Sequence, residues 1–253
     1  MVIKASSIVF LISALPWTLN GNVTYPMTHL YIFDIDGTLL SAGSSGTRAI
    51  NEVFENHFGY ENMCQHLSFA GATDKNIFAQ AQHIAAKASG KPRVHESLLF
   101  DAYAKLFEKE LERMNTCVAY DGVVSFLDRL KDTSDVIIGI GTGNLESTAL
   151  LKLKYAGLDS YFSFGGYGSD CEKRPDIFRK ALERCCERLG KSPTHVVVFG
   201  DTPKDIWAAR DIGAQVVAVT TGSFGRDALA RENPDIVVDG LDTPELAAWL
   251  GAP

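Results

Sequence analysis

The amino-acid sequence predicts an α/β fold in which a doubly wound parallel sheet carries an inserted all-helical segment. Apolar runs of strand length alternate with amphipathic helical stretches over most of the chain, whereas residues 42–118 contain no strand-like run. Strands of a parallel sheet are covered on both faces, so they are apolar throughout and do not alternate with polar positions. The predicted strands are 30–34, 136–141, 195–200, 216–220 and 236–238.

The first element is the run LYIFD at 30–34, and it ends directly on two carboxylates, Asp34 and Asp36. Three helical patterns follow in the insert, with apolar residues that recur every three or four positions. We expect the first of these helices to end at Gly59, the second to end at Gly90, and the third to span roughly 99–114. Two further helices, around 123–130 and 177–182, each precede a predicted strand of the sheet.

Composition limits the classes of function. The chain has 253 residues, 46% of them hydrophobic, which suits one large domain or two smaller ones. Its net charge of −7 argues against general binding to nucleic acid and against stable association with anionic membranes, because no basic excess neutralises phosphates. Its five cysteines are an odd number at irregular spacing, which favours a reducing compartment, and we expect a cytoplasmic protein of unknown oligomeric state.

Residues 1–28 form a predicted N-terminal extension. An apolar run from Ala5 to Leu15 is too short to span a bilayer as a helix. One interpretation is a weak signal peptide, and secretion is the minor alternative that it implies. The other, which we favour, is a disordered extension or a mis-assigned start, with the true initiator at Met27.

Polar side chains follow the predicted strands at the edge of the sheet where ligands bind in open α/β folds. Besides the two aspartates after the first strand, these are Thr142, Gly143, Asn144, Asp201 and Asp205. Carboxylates gathered at one edge repel each other and raise each other's pKa unless a cation lies among them. Mg²⁺, a hard ion that prefers oxygen ligands and retains water, suits such a site. For Asp205 alone, a role as helix cap or turn residue is the stronger interpretation.

These motifs resemble those of the haloacid dehalogenase-like hydrolase superfamily. The matching stretches are DIDGT at 34–38, the strand that ends in Thr-Gly-Asn at 140–144, and GDTPKD at 200–205. Further stretches, among them GATD at 71–74 and TGNLESTALLKLKYAGLDSYFSFGGYGSD at 142–170, are similar to the phosphoglycolate phosphatase-like branch. The resemblance covers essentially all of 29–250 and implies a Rossmann-like core with a helical cap, Mg²⁺ as cofactor and a small phosphorylated metabolite as substrate.

The resemblance also implies residue roles. Asp34 would attack phosphorus to form an aspartyl-phosphate, and Asp36 would protonate the leaving alcohol and later activate water. Thr142 and Gly143, with Asn144 beside them, would hold phosphoryl oxygens. The implied metal ligands are Asp34, the carbonyl of Asp36, Asp201 and Asp205.

The third motif departs from the usual pattern of the branch. Glu172 stands where a lysine commonly lies, three residues before the proline that opens a helix. The cation for the phosphate would then be Arg174 or Lys173, and we favour Arg174 because its planar guanidinium can bridge the phosphate and Asp34. The alternative is that both are solvated residues at the start of the helix.

The predicted domains follow from this resemblance. Residues 29–41 and 119–253 would form the catalytic core, and residues 42–118 the cap, which closes over the site and selects the leaving group. Thr73 is then a candidate substrate contact, whereas Asp74 is as well explained as the cap of the following helix.

The sequence therefore predicts a Mg²⁺-dependent phosphatase that hydrolyses a small phosphomonoester, with phosphoglycolate as the substrate suggested by the resemblance. Two alternatives remain open at this point. One is a phosphosugar mutase, which uses the same aspartyl-phosphate but protects it from water. The other is a non-catalytic relative that binds a phosphorylated metabolite.

Overall fold

The computed structural model describes residues 28–251, which form a six-stranded parallel sheet with helices on both faces. Its strands are β1 (His29–Phe33), β4 (Val136–Thr142), β5 (Gly165–Tyr167), β6 (His195–Gly200), β7 (Gln215–Val219) and β8 (Ile236–Val238). They lie in the order β5-β4-β1-β6-β7-β8, so β1 lies centrally between β4 and β6.

The helices alternate with these strands, except in the insertion between β1 and β4. They are α1 (Ser45–Phe58), α2 (Asp74–Ser89), α3 (Glu96–Met114), α4 (Val123–Lys131), α5 (Glu146–Tyr155), α6 (Arg174–Leu189), α7 (Pro203–Asp211), α8 (Arg226–Ala230) and α9 (Pro244–Leu250).

The central strand β1 shows why the strand sequences are apolar throughout. Tyr31 and Phe33 belong to the core on one face of the sheet, with residues of α4, α5 and α9. Leu30 and Ile32 belong to the core on the opposite face, with residues of α6 and α7. Because both faces of β1 are covered, the buried positions Leu30 to Phe33 need apolar side chains. The predicted doubly wound α/β fold is confirmed.

A second sheet of two short strands frames the helical insertion. The strands β2 (Leu40–Ser41) and β3 (Val118–Ala119) pair antiparallel, and the helices α1 to α3 lie between them in sequence. Neither strand was predicted, because two residues carry no recognisable periodicity.

The inserted helices end where the sequence predicts. Gly59 and Gly90 each follow a helix with a left-handed backbone, φ 68° in both, and glycine adopts this conformation without strain. Phe54, Phe78 and Phe107 are fully buried within the insertion and belong to the same hydrophobic core as Phe33 of the sheet. The helical insertion therefore shares the hydrophobic core of the sheet, and α3 packs against α5.

Three expectations concern the whole chain. The predicted N-terminal extension lies outside the described residues, apart from Thr28. All five cysteines are free thiols. Within residues 28–251, no helix combines the length and apolar character needed to cross a bilayer.

Candidate active site

Asp34 lies at the carboxyl end of β1, at the centre of the sheet. Its backbone N–H donates to the Phe199 carbonyl at 2.9 Å, which continues the pairing of β1 with β6, and its side chain is buried. The chain then turns at Gly37, where φ is +80°. A Cβ at Gly37 would lie 2.3 Å from Asp201 Oδ2, so this position needs glycine for space as well as for conformation.

Arg174, the first residue of α6, supplies a buried cation beside Asp34. Its Nη2 lies 2.6 Å from Asp34 Oδ2, and its Nε donates to Asp205 Oδ1, also at 2.6 Å. Although burial acts in the opposite direction, the two carboxylates raise the pKa of Arg174 above its ordinary value. The side chain of Lys173, by contrast, is exposed and does not line the cavity described below. Of the two predicted cations, the structure brings only Arg174 to Asp34.

Asp205 lies in the first turn of α7 and is fully buried. Its Oδ2 accepts from the Thr202 N–H at 3.1 Å and from the Thr202 hydroxyl at 2.7 Å, which caps the start of the helix. Its other oxygen accepts from Arg174. Asp205 therefore serves as a helix-cap residue, as one interpretation of the sequence held, and it also fixes the guanidinium.

The carboxylates of Asp34, Asp201 and Asp205 form a group whose oxygens come within 4.8 Å of one another. Burial, and then the charges of Asp34 and Asp205, raise the pKa of Asp201 to about 8. Burial likewise raises the pKa of Asp34 to about 6, against the opposing effect of Arg174. Asp201 Oδ1 is buried without a hydrogen-bond partner among the described residues. An orphaned carboxylate oxygen beside two further acids fits a divalent cation such as Mg²⁺.

The loop after β4 carries Thr142, Gly143 and Asn144 to the same edge of the sheet. The Thr142 hydroxyl accepts from the Asn144 amide nitrogen at 2.8 Å, and both side chains are buried. A Cβ at Gly143 would lie 2.6 Å from the Ala72 carbonyl, so only glycine allows the insertion to approach this closely. The three predicted residues therefore lie together beside Asp34.

Lys152 is a residue of the site that the sequence did not reveal. Its ammonium, on α5, lies 2.7 and 2.6 Å from the two carboxylate oxygens of Asp36 and 2.7 Å from Asn144 Oδ1. Burial acts to raise the pKa of Asp36, but Lys152 and Asn144 outweigh it and hold the pKa below its ordinary value. On α5, Lys152 lies four and three residues after the buried positions Thr148 and Ala149, on the same face of the helix. A charged residue on a buried face needs a partner, and this position was the signal that could have revealed Lys152.

The insertion contacts the core through the GATD loop. Asp74 N–H donates to the Gly143 carbonyl at 2.8 Å, and Asp74 Oδ2 accepts from the Leu145 N–H at 2.9 Å at the start of α5. Thr73 caps α2 by accepting from the Asn76 N–H, and its hydroxyl donates to a core carbonyl. Thr73 does not line the cavity, and its hydroxyl is already used in these two contacts. Burial raises the pKa of Asp74 to about 6.

A cavity of about 550 Å³ lies between the insertion and the core edge. The core side is polar and includes Asp34, Asp36, Thr142, Gly143, Asn144, Lys152, Arg174 and Asp201. The wall from the insertion is mainly apolar and includes Ile50, Phe69, Ile77 and Tyr103. Seven of the predicted site residues thus meet at one enclosed surface, while Thr73, Lys173 and Asp205 lie outside its lining.

Residues 31–219 match the family model described as "Haloacid dehalogenase-like hydrolase". The chain belongs to this family. Three curated relatives illustrate its range. "Phosphoglycolate phosphatase" of Synechococcus elongatus is 28% identical over 84% of this chain and 92% of its own length. "Putative pyrophosphatase PpaX" of Clostridium perfringens is 26% identical over 84% and 94%. "Probable phosphatase IndB" of Dickeya dadantii is 27% identical over 84% and 90%.

Solved structures share the fold. CbbY from Rhodobacter sphaeroides in complex with phosphate superposes with a TM-score of 0.65, at 16% identity, over 85% of this chain and 95% of its own. A hydrolase from Pseudomonas syringae superposes with a TM-score of 0.60, at 21% identity, over 90% and 100%. The predicted family, the Rossmann-like core with an inserted helical region and the assignment to phosphatase-type hydrolases are confirmed.

Proposed function

We propose that this protein is a Mg²⁺-dependent phosphatase that hydrolyses a small organic phosphomonoester through an aspartyl-phosphate on Asp34. The observation that carries the proposal is the position of Asp34, buried at the end of β1 beside Arg174 and open to an enclosed cavity. A buried carboxylate that is paired with a cation on one oxygen keeps its other oxygen for attack.

In the first step an oxygen of Asp34 forms a bond to phosphorus, and the ester P–O bond breaks. The electron pair of that bond stays on the alcohol oxygen, which takes a proton from Asp36. In the second step Asp36 removes a proton from water, whose oxygen attacks phosphorus and releases Asp34 with inorganic phosphate. Asp36 is half-exposed at the cavity and oriented by Lys152 and Asn144, which positions its carboxyl group for this exchange of a proton, although the ammonium disfavours the acid form that the first step uses.

The phosphoryl group would be held where Thr142, Gly143 and Arg174 meet. Arg174 Nη1 lies 3.3 Å from the position that a Cβ on Gly143 would occupy, so the guanidinium faces the Gly143 backbone. A cation and donors fixed before the reaction stabilise the charge that develops on the phosphoryl oxygens. The Thr142 hydroxyl and the Gly143 N–H would supply these donors, with Asn144 as a further polar contact.

Asp34 and Asp201 are the strongest candidate ligands for Mg²⁺, joined by the Asp36 carbonyl and more remotely by Asp205. The oxygens of Asp205 already accept from Thr202 and Arg174, which makes it a weaker ligand than Asp201. When bound, the ion would neutralise the clustered carboxylates and polarise the phosphoryl group.

The domain division expected from the sequence is part of this proposal. Residues 42–118 would act as the cap, which excludes water and selects the leaving group, over a core formed by 29–41 and 119–253. The hydrogen bonds of Asp74 to the loop after β4 support a closed arrangement of the cap on the core.

The decisive experiment is release of inorganic phosphate by the purified protein, with and without Mg²⁺, from a broad panel of phosphate esters. Asp34→Asn serves as the matched control, because it keeps the shape of the side chain and removes the nucleophile. We expect Mg²⁺-dependent release by the wild type, none by the variant, and an acid-stable mass increase of one phosphoryl group on the wild type during turnover. Absence of release across the panel would favour a phosphometabolite-binding protein, and turnover that requires a sugar bisphosphate without phosphate release would favour a mutase.

A further inference from the structure

We infer that the leaving group is an uncharged alcohol, so that this protein acts on monophosphate esters whose leaving group carries no carboxylate or second phosphate. The inference rests on the proposed phosphatase function and narrows its substrate class. It excludes phosphoglycolate as a preferred substrate, because the leaving group of phosphoglycolate is anionic.

The cavity holds more acids than bases. Among the described residues that line it, Arg174 and Lys152 are the cationic side chains, whereas Asp34, Asp36, Asp74 and Asp201 are acidic. A divalent ion would offset part of this excess, but only at the Asp34 and Asp201 end, where the transferred phosphoryl group binds. The part of the cavity that receives the leaving group gains no positive charge from it.

Arg174 cannot serve a second anion. Its Nε and Nη2 contact Asp205 and Asp34 at 2.6 Å, and its remaining nitrogen faces the Gly143 backbone on the phosphoryl side of the cavity. The guanidinium is also buried and sits at the core edge. Its charge is therefore committed to the nucleophile and the transferred phosphoryl group.

Lys152 is committed as well. An ammonium carries three donors, and the Lys152 Nζ has three acceptors within 2.7 Å, namely both oxygens of Asp36 and the Oδ1 of Asn144. To bind a substrate carboxylate, it would have to release the residue that protonates the leaving oxygen. An anionic leaving group would thus compete with the catalytic arrangement instead of completing it.

Among its described residues, the remaining wall carries no further cation. Ile50, Phe69 and Ile77 of the insertion face the cavity, together with the buried carboxylate of Asp74, and the other polar side chains are neutral hydroxyls such as those of Thr47 and Thr221. A carboxylate brought against such a wall loses water and gains no charged partner, and it also meets the charges of Asp36 and Asp74. A neutral alcohol with carbon and hydroxyl groups fits the same wall, since its apolar part replaces water and its hydroxyls can donate to the acids.

The test compares substrates that are matched in size and differ in one charge. Glycerol 3-phosphate is paired with 3-phosphoglycerate, and 2-hydroxyethyl phosphate is paired with phosphoglycolate. We expect kcat/KM to be higher for the neutral member of each pair by a factor on the order of 10². Equal values, or higher values for the anionic members, would overturn the inference while leaving the phosphatase function intact. If no ester in the panel releases phosphate, it is the proposed function that fails.

A charge placed in the cavity gives a second test. Phe69 is 38% exposed, lines the cavity and lies outside the catalytic group. Phe69→Arg should raise the ratio of kcat/KM for 3-phosphoglycerate to that for glycerol 3-phosphate about tenfold. Leu98→Arg is the matched control, because Leu98 is 56% exposed on the same insertion and does not line the cavity. An unchanged ratio in the Phe69 variant, or an equal rise in the control, would count against the inference.

Discussion

Arg174→Met tests whether the buried guanidinium acts on the phosphoryl group. The variant keeps much of the side-chain volume and removes the contacts at 2.6 Å to Asp34 and Asp205. Loss of one positioned group that stabilises transition-state charge lowers kcat by about 10²–10³. We expect a loss of this size in phosphate release at saturating Mg²⁺. The neighbouring Lys173→Ala, at an exposed position, is the matched control and should stay within about twofold of wild type.

The same variant also has a cost in stability, which must be separated from the loss of activity. Removal of one partner from a buried ion pair destabilises by about 3–5 kcal/mol. For a domain of this size that corresponds to a Tm lower by about 6–20 °C. Adding Asp205→Asn removes one of the carboxylates left unpaired, so the double variant should regain part of the Tm without regaining activity. Near-wild-type activity in folded Arg174→Met would refute the role assigned to the arginine.

Three further predictions concern the other charged groups of the site. Lys152→Met removes the ammonium that orients Asp36 and lowers its pKa, so the limb of the kcat profile on which Asp36 loses its proton moves to higher pH, and because the carboxyl group also loses its orientation, kcat at pH 7 falls by a factor on the order of 10². Burial raises the pKa of Asp74 to about 6, so the folded state binds this proton more tightly than the unfolded state does. In denaturant unfolding, the free energy of unfolding of the wild type should therefore fall, relative to that of Asp74→Asn, by roughly 3 kcal/mol as the pH rises from about 4 to about 7. Gly222→Ala would place a Cβ 1.7 Å from Asp201 Oδ2, and the displaced ligand should raise the Mg²⁺ concentration for half-maximal activity by roughly 10–100-fold in an activity titration. Unchanged values in these three assays would argue against the respective contacts.

Much of the fold could be predicted because it depends on local pattern. The run at 30–34 is apolar at every position before Asp34, which is the consequence of burial on both faces of β1. The observed strand, His29–Phe33, begins and ends one residue earlier. Gly59 and Gly90 mark helix ends because glycine adopts, without strain, the left-handed backbone that ends a helix. The pair β2 and β3 was not predictable, since its two-residue strands depend on a partner 77 or more residues away in the chain.

The sequence by itself determined which residues meet at the site, because Asp34, Asp36 and Asp201 follow strands, Thr142 ends one, and parallel strands bring their carboxyl ends to one edge. Only the tertiary structure decided how the charges are paired. Lys152 is eight residues beyond Asn144 on a helix, and its place among buried positions indicates that it needs a partner, but nothing local indicates that this partner is Asp36. Pairing of this kind depends on distances of a few ångströms between distant segments, since the energy of two charges falls with their separation. Among the cavity-lining residues that the structure describes, the same pairing leaves no cation free for an anionic leaving group.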